Sequence, residues 1–478
     1  MKFTIKYYCL FALIVLFATT SCEKWLSVSP RSEVKYDDLF KDKEGFRDQL
    51  TGIYTAMCEE SLYGANLTYG MLDALGQQYT WIMEVGDYYY LHKFEYNNTI
   101  STSIISTIWS RMYNTIANIN ILIHGLNEFP NVLSVEEREI YLGEAYGLRA
   151  YLHFDLLRLF GPSYKSGSDK KAIPYIKSIS KNVTPMSSVT QILDLVIEDL
   201  LEAKKYLAKD PIISGEEISQ FIGNRIFHLN YYAVEAMLAR VYMYKNDKQN
   251  AYKTAKEVLN ANKFNWIARE CVTTPLREAR DGIFSTETIF ALNNMKLDAL
   301  TGKYLREGMS DSKDNLLIIK PEVLDQIYES DLYGGYDWRY IYYFEVQRET
   351  YKGSSKLWQY RTMPDEYRNK QPLLRMSELY LILAECAENK EEAISYFNTL
   401  REHRGFDASF NLDASTNDTA FISEIAKEYR KEFIGEGQWF FYCKRNDLDE
   451  LPNVTVPFSK GYYILPLPDL EIEYGNRN

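Results

Sequence analysis

The sequence predicts a mainly α-helical protein: a scaffold of paired helices, with an irregular, loop-rich region carrying short strands packed onto it. Three observations support this prediction. Apolar residues recur every three or four positions through most of 40–265, and two segments repeat the spacing of a helical pair. Glycine, asparagine, aspartate and tyrosine become dense from about 266 to 372, where the helical periodicity fades.

The first helices are predicted from periodicity and from residues typical of helix ends. Segment 109–126 carries apolar residues at helical spacing. Segment 136–160 follows Ser134, the expected N-cap, with Glu137 placed three residues later to complete a capping box. Gly161 and the proline after it end this helix. Two further helices are predicted over 189–207 and 229–245.

Two segments have the spacing of a tetratricopeptide repeat, in which small residues let two antiparallel helices approach closely. In segment 230–262 the matching residues are Leu238, Ala239, Tyr242, Ala251, Ala255 and Val258. In segment 377–404 they are Ala384, Ala387, Ala393, Phe397 and Leu400, with a shortened inter-helix turn. Together with two weaker helix pairs, these units predict a short helical solenoid.

Charge and composition exclude several functions. The chain has 54 Lys and Arg against 66 Asp and Glu, a formal net charge of −12. Such a surface repels phosphate backbones, so we expect no nucleic-acid partner. The five histidines are scattered and HExxH is absent, so we predict no metal site and no cofactor.

Cysteines are predicted to serve as buried thiols beyond the N-terminal segment. The four are far apart in the sequence, without a CxxC pair: Cys58, Cys271, Cys386 and Cys443. A chain of 478 residues with 46% hydrophobic residues has a core that needs no disulfides. Two disulfide bridges remain the alternative.

The N-terminus has the layout of a secretory signal. Two lysines precede an apolar run too short to span a bilayer, and small residues then lead to Cys22. Residues 1–21 are therefore predicted to be a signal peptide, and the small residues before Cys22 resemble a bacterial lipobox, in which the cysteine receives the lipid. An ordinary cleaved signal is the alternative. After this segment no apolar stretch is long enough to cross a membrane, so acylation is the expected attachment.

Five stretches occur in an order that resembles one family. They are CEKWLSVSPRSEV from Cys22, the W…Y…I…N pattern of Trp109, Tyr113, Ile116 and Asn120, GEAYGLRAYLHFDLLRLFGPSY over 143–164, LLRMSELYLILAECAEN with LREHRG within 373–405, and EYRKEFIGEGQWFFYCKR over 428–445 with YILPLPDLEIEYG over 463–475. The chain resembles the SusD/RagB family of outer-membrane nutrient-binding lipoproteins, and the likeness spans almost all of the mature chain.

The resemblance implies a fold, a location and a role. It implies four tetratricopeptide-like pairs that support a variable region, in a lipoprotein anchored at Cys22 to the outer membrane and facing the extracellular side. It implies noncatalytic capture of an oligosaccharide for a SusC-like TonB-dependent transporter. The expected domains are an N-terminal helical region at 22–265, an irregular ligand-binding region at 266–372, and a C-terminal region with the last helical pair at 373–478.

Ligand contacts are expected in two regions, which the resemblance indicates. Aromatic rings stack on the faces of sugars, while polar side chains bind their hydroxyl groups, and the chain has 40 tyrosines. The loop before the W…Y…I…N helix supplies Asp73, Tyr79, Trp81, Asp87, Tyr88 and Tyr90, and the central region supplies Tyr304, Arg306, Tyr333 and Tyr336. Tyr88, Tyr89 and Tyr90 would alternate faces in an extended chain, so at most two would meet the ligand together.

Packing roles compete with binding for the tryptophans. For Trp81, anchoring its loop in the core is an alternative that is as well supported as ligand binding. Packing is the favoured role for Trp109, Trp338, Trp358 and Trp439.

Two other functions remain as alternatives. The first is a peptide-binding uptake lipoprotein of the RagB type. The second is a surface glycosidase, which would need two carboxylates about 5–10 Å apart. Glu84 and Asp87 are close in sequence, but 66 acidic residues make chance pairs inevitable. Because GxSxG and P-loop motifs are also absent, we do not predict an enzyme.

Overall fold

A computed structural model describes residues 36–309 and 313–477 of the chain. The predicted signal peptide and Cys22 lie outside the described residues. Within them, every helix is too short or too polar to traverse a lipid bilayer.

Helices make up most of the described chain and are numbered here when they have eight residues or more. They are α1 Lys43–Met57, α2 Thr99–Glu128, α3 Val135–Phe160, α4 Val189–Tyr206, α5 Tyr231–Tyr244, α6 Lys248–Asn260, α7 Leu297–Tyr304, α8 Pro321–Tyr328, α9 Met376–Cys386, α10 Lys390–Glu402, α11 Asp418–Glu432 and α12 Gln438–Asn446. Shorter α-helices are Tyr36–Leu39, Met71–Leu75, Tyr89–His92, Tyr164–Gly167, Pro211–Ser214, Arg269–Thr273, Ser330–Tyr333, Trp338–Tyr342 and Asp469–Tyr474.

Short strands form three separate antiparallel pairs. The strands are β1 Lys171–Pro174, β2 Met186–Ser188, β3 Thr288–Asn293, β4 Phe344–Gln347, β5 Tyr351–Ser354 and β6 Lys370–Arg375. β1 pairs with β2, β3 with β6, and β4 with β5 as a hairpin. The prediction of a mainly α-helical fold with short strands is confirmed.

Local sequence signals set the ends of the longest helices. α2 begins at Thr99, earlier than the predicted residue 109, because the side chain of Asn98 accepts a hydrogen bond from the N–H of Ile100 and caps this end. α3 has the capping box of Ser134 and Glu137 and ends at Gly161, as the sequence predicted.

The helices stack one on the next to form the predicted solenoid. α1 packs on α2, and the contacts continue through α3, α4, α5 and α6 to α9 and α10. In the α5–α6 pair, Ala251 and Ala255 are buried where the two helices meet. α9 ends at Cys386, so Ala387, predicted to lie on this helix, instead starts the turn to α10 with an extended backbone.

Close approach around α3 depends on a glycine of the GEAYGLRAYLHF stretch. A Cβ atom on Gly147 would lie 2.4 Å from Cδ2 of Leu229, just before α5. Any side chain there would require the buried Leu229 side chain to move. α3 and α4 are also joined by a buried bidentate pair, because Arg149 donates two hydrogen bonds of 2.8 Å to Asp199.

A buried network of charges ties the central region to the C-terminal helices. Arg375 at the end of β6 and Arg404 after α10 are both fully buried and both donate to Glu432 of α11. Arg339 donates to Glu428 and Glu432, and its guanidinium also donates to Asp337. The motifs that contain these residues therefore have structural roles.

The cysteines partly depart from the prediction. All four described cysteines are free thiols, and Cys58, Cys386 and Cys443 are buried as expected. Cys271 is exposed, because it lies on the short helix Arg269–Thr273, whose buried side chain is Val272 instead.

Candidate functional site

Burial divides the ten residues predicted to contact a ligand. Asp73, Tyr79, Tyr88 and Tyr304 keep only 1–4% of their surface exposed. These four are packed inside the protein, so the prediction that they present side chains to a ligand is not supported by the structure. The others reach the surface: Trp81, Asp87, Tyr90, Arg306 and Tyr333 are half-buried, and Tyr336 is exposed.

Asp73 organises the turn between α11 and α12. Its carboxylate accepts hydrogen bonds from the N–H groups of Gly435 at 2.6 Å and Gly437 at 3.1 Å. Both glycines have positive φ, which other residues adopt only with strain. Burial raises the pKa of Asp73 to about 7, while the two N–H donors act in the opposite direction. Tyr79 lies beside this turn and donates to the carbonyl of Tyr69 at 2.7 Å.

Tyr88 and Tyr304 pack against each other beneath the surface and so connect the two regions in which ligand contacts are predicted. Their ring centroids are 5.2 Å apart, and Tyr88 donates to Asn66 at 2.7 Å. The Tyr304 hydroxyl lies 2.6 Å from Glu60 and 2.9 Å from Asp87. Burial, with Tyr88 and Glu60 nearby, raises the pKa of Tyr304 well above its usual range, so the phenol stays protonated. The pair is a support for the loops above it.

The three consecutive tyrosines do not alternate as expected. Tyr89 begins the short helix Tyr89–His92 instead of continuing an extended chain. Tyr88 and Tyr89 are both buried, and Tyr90 is half-buried. Tyr90 is therefore the member of this run that is best placed to meet a ligand.

Four surface segments meet to form what we call the loop platform: residues 81–87, 305–309, 314–318 and 346–349. Thr80 donates its N–H to Ile318 at 2.7 Å, and Asp87 donates its N–H to Asn315 at 2.9 Å. Glu307 connects the second and fourth segments, since its N–H donates to Gln347 at 2.7 Å. These bonds hold residues from distant parts of the sequence on one surface.

The loop platform exposes apolar side chains, three of which, Ile82, Met83 and Val85, line a shallow hollow. Ile82, Met83 and Val85 are 41–47% exposed, and Met309 and Val346 are also exposed. The hollow is lined by Thr80, Trp81, Ile82, Met83, Val85, Asp314, Leu316, Ile318 and Arg348. Contiguous exposed apolar residues of this kind mark surfaces that contact a ligand or a partner.

Trp81 both anchors its loop and lines this hollow. Its ring stacks on His92 with centroids 4.3 Å apart, and it contacts Tyr79 edge-on at 6.3 Å. One face of the indole is thus covered by His92. Stacking on His92 is the packing role that was expected as an alternative for Trp81. Because Trp81 is only half-buried, the rest of its ring is exposed to the hollow.

Tyr333 and Tyr336 belong to a separate aromatic group. Tyr336 packs on Phe410 with centroids 4.8 Å apart, and Tyr333 contacts Phe406 and Phe410 at 5.4 Å each. Sequence reasoning grouped these tyrosines with Tyr304 and Arg306. It missed Phe406 and Phe410, which follow α10 and carry no local signal of exposure or binding.

Arg306 lies on two aromatic residues that the sequence did not select for binding. Its guanidinium carbon is 5.2 Å from the Trp358 ring centroid and 5.0 Å from that of Tyr360. Trp358 is buried, in agreement with its predicted packing role, and Tyr360 is half-buried. The pairing links segments far apart in sequence, so no local pattern predicts it.

Asp87 has structural contacts in the first loop of the platform. Asp87 accepts from Tyr304 and from Asn315, and pairs with Lys303 at 3.3 Å. Glu84 is exposed on the same loop. Over residues 36–309 and 313–477, no three His, Cys, Asp or Glu side chains come together in a way that could hold a metal ion.

Family profiles match two long parts of the chain. The profile SusD-like_3, described as "Starch-binding associating with outer membrane", matches residues 24–243. The profile SusD_RagB, described as the SusD family, matches residues 332–470.

Curated relatives come from Formosa agariphila. SusD-like protein P38 is 25% identical over 277 residues, which is 58% of this chain and 48% of that protein. SusD-like protein P2 is 23% identical over 53% of this chain and 46% of that protein. The chain thus spans about half the length of the curated relatives it matches.

Solved structures share the whole fold. A SusD superfamily protein from Bacteroides thetaiotaomicron superposes with a TM-score of 0.69 at 23% identity, over 91% of this chain and 98% of that one. A SusD-like carbohydrate binding protein from Bacteroides vulgatus has a TM-score of 0.72 at 18% identity, over 91% and 97%. At these identities the similarity shows the fold alone.

Proposed function

The chain belongs to the SusD/RagB family, and we propose that it is a noncatalytic cell-surface lipoprotein that binds an oligosaccharide and delivers it to a SusC-like TonB-dependent transporter. The loop platform is the observation that supports saccharide binding. It combines the half-buried ring of Trp81 with apolar and polar side chains on loops that partly buried hydrogen bonds hold in place.

The chemistry of such a surface suits sugars. A pyranose ring has apolar C–H faces and a rim of hydroxyl groups, so an aromatic ring and a few polar groups recognise it without deep burial. Tyr90, on the short helix that follows the first platform loop, provides a further half-buried aromatic ring, whereas Tyr336 belongs to the separate aromatic group. A shallow site of this kind binds weakly by itself, which suits a carrier that must release its ligand.

A noncatalytic role agrees with the contacts of the nearest carboxylates. Asp87 is held by the ammonium of Lys303 and the hydroxyl of Tyr304. Asp87 is therefore suited to positioning Tyr304 and the loop.

Replacing Trp81 tests the platform directly. In a Trp81→Ala variant, we expect affinity for the saccharide found in a glycan-array screen to fall about tenfold, since a single stacked aromatic residue contributes about 1–2 kcal/mol. Isothermal titration calorimetry measures the loss. The matched control is Tyr474→Ala, because Tyr474 is an exposed aromatic residue on the helix Asp469–Tyr474, outside the platform.

The fold of the Trp81 variant must be checked because Trp81 also packs on His92. Circular dichroism and thermal unfolding should remain close to those of the parent protein. Unchanged affinity in a folded Trp81→Ala protein would show that the saccharide does not bind at the loop platform.

A peptide is the second candidate ligand, since the aliphatic side chains of Ile82, Met83 and Val85 also suit peptide side chains. Titration of a mixed tryptic peptide pool against the same variants separates the two functions. Binding of peptides and no binding of any arrayed glycan would assign the protein to peptide uptake.

A further inference from the structure

Arg306 has a backbone that is fixed on both sides in the loop platform. Leu305 before it is buried, and Glu307 after it is bonded twice to the β4–β5 hairpin region. The N–H of Glu307 donates to Gln347 at 2.7 Å, and the Glu307 carboxylate accepts from the N–H of Arg348 at 2.7 Å. Glu307 is therefore engaged with the backbone of Arg348.

The guanidinium of Arg306 is oriented by aromatic rings and has no carboxylate partner within ion-pair distance among the residues the structure describes. It packs against Trp358 and Tyr360 and remains half-exposed. A guanidinium held on aromatic rings keeps its N–H edge available, and this planar fork matches the two oxygens of a carboxylate or sulfate.

Two further arginines contact aromatic rings in this part of the protein. Arg277 contacts the Trp358 ring at 6.0 Å, and Arg280 contacts Tyr342 at 5.2 Å. Both arginines pair with one carboxylate, that of Glu345. Arg306 adds a third guanidinium to this group of arginines and pairs with no carboxylate among the described residues, on a chain whose formal net charge is −12. The field at this edge of the platform favours an anion.

A buried donor beside Arg306 also lacks a partner. Trp358 is only 5% exposed, and its Nε1 has no hydrogen-bond acceptor among the described residues. Buried donors are nearly always satisfied, so an unsatisfied one calls for an explanation. This unsatisfied donor lies in one of the two rings that support Arg306.

We propose that Arg306 recognises an acidic saccharide, one that carries a carboxylate or a sulfate group, at the edge of the loop platform. The inference rests on the proposed function and specifies its substrate class. Charge-assisted bonds to guanidinium are stronger and more directional than bonds between neutral groups, so this contact selects acidic sugars over neutral ones. Trp358 and Tyr360 act as positioning residues for Arg306.

The test is a panel of polysaccharides and their charge-neutralised counterparts, run by affinity electrophoresis with the mature protein. Polygalacturonate is paired with its methyl ester, alginate with its carboxyl-reduced form, and ι-carrageenan with its desulfated form. These arms distinguish carboxylate from sulfate recognition. We expect at least one acidic member to bind, with retardation reduced at least tenfold for its neutral counterpart.

The variant Arg306→Gln tests the residue itself. We expect its affinity for the acidic ligand to fall about tenfold, because one charge-assisted contact is lost. Its affinity for the neutral counterpart should not change. The matched control is Arg47→Gln, because Arg47 is an exposed arginine on α1, outside the platform.

A purely structural role of Arg306 would lower both affinities together, because it would act by disturbing the platform. That result overturns the inference, as does equal binding of acidic and neutral forms, or binding of neutral members alone. In these cases the proposed function stands, because a saccharide still binds. If no acidic or neutral member binds the parent protein, the inference is overturned, and the glycan-array screen decides whether the saccharide-binding function is overturned as well.

Discussion

Trp81 and His92 form the stacked pair on which the first loop of the platform rests. His92 is nearly buried, and its Nδ1 has no hydrogen-bond partner among the described residues. Burial disfavours the imidazolium form and lowers the pKa of His92 to about 4. The histidine is thus neutral at neutral pH, and it stacks on Trp81 in this form.

The low pKa of His92 predicts a loss of stability in mild acid. The unfolded chain takes up a proton near pH 6.5, whereas the folded chain does so only near pH 4. The unfolded state therefore binds more protons in this window, and the free energy of unfolding falls as the pH drops. Between pH 7 and 5 we expect His92 to contribute a loss of about 2 kcal/mol.

Urea unfolding of the parent protein and of His92→Phe at pH 7 and pH 5 measures this contribution. Phenylalanine keeps an aromatic ring against Trp81 and cannot be protonated, so the variant should lose less stability between the two pH values. An identical loss of stability in both proteins would show that a group other than His92 is responsible.

At the scale of elements, one carboxylate joins three parts of the chain. Glu432 at the end of α11 accepts from Arg375 at 2.5 Å, from Arg404 at 2.7 Å and from Arg339 at 2.8 Å. Burial alone would raise its pKa, but Arg404 and Arg375 outweigh burial and hold the pKa of Glu432 well below its usual range. The carboxylate is charged and holds the central region on the C-terminal helices.

Removal of this charge should be costly. Glu432→Gln leaves buried guanidinium groups without their counter-charge, and we expect the free energy of unfolding to fall by about 3–5 kcal/mol. Chemical denaturation measures the difference. Glu391→Gln, at an exposed position in the first turn of α10, is the control and should change stability by less than about 0.5 kcal/mol. Equal effects of the two variants would refute a special role for the network.

At the scale of the whole molecule, the protein is a stacked helical scaffold that carries loops, and its membrane attachment is predicted to come from the N-terminus. The formal net charge of −12 disfavours binding to anionic headgroups. Cys22, outside the described residues, remains the predicted site of acylation.

Cys22→Ala tests the anchor. We expect the variant to lose incorporation of a labelled fatty acid and to move from the membrane fraction to the soluble fraction. Cys271→Ala, which removes an exposed thiol, is the control and should keep both label and location. Membrane association of Cys22→Ala in cells without the transporter would contradict lipid anchoring.

Helices could be predicted from the sequence because their determinants are local. The capping box of Ser134 and Glu137, the end of α3 at Gly161 and the alanines of the α5–α6 pair each act over a few residues. The start of α2 was placed too late, because Asn98 caps a first turn that is mostly polar. Local signals fix where helices lie, and less securely where they begin.

The binding surface could not be predicted in this way, since exposure depends on contacts between distant parts of the chain. Asp73 is of a residue type that binds sugar hydroxyl groups, yet its carboxylate accepts hydrogen bonds from Gly435 and Gly437, far along the sequence. Arg306 was predicted to contact a ligand and is half-buried, but its aromatic partners Trp358 and Tyr360 became apparent only in the fold. The sequence by itself determined the helical scaffold and the family; the tertiary structure decided which aromatic and charged side chains remain open to a ligand, because packing across long sequence separations decides burial.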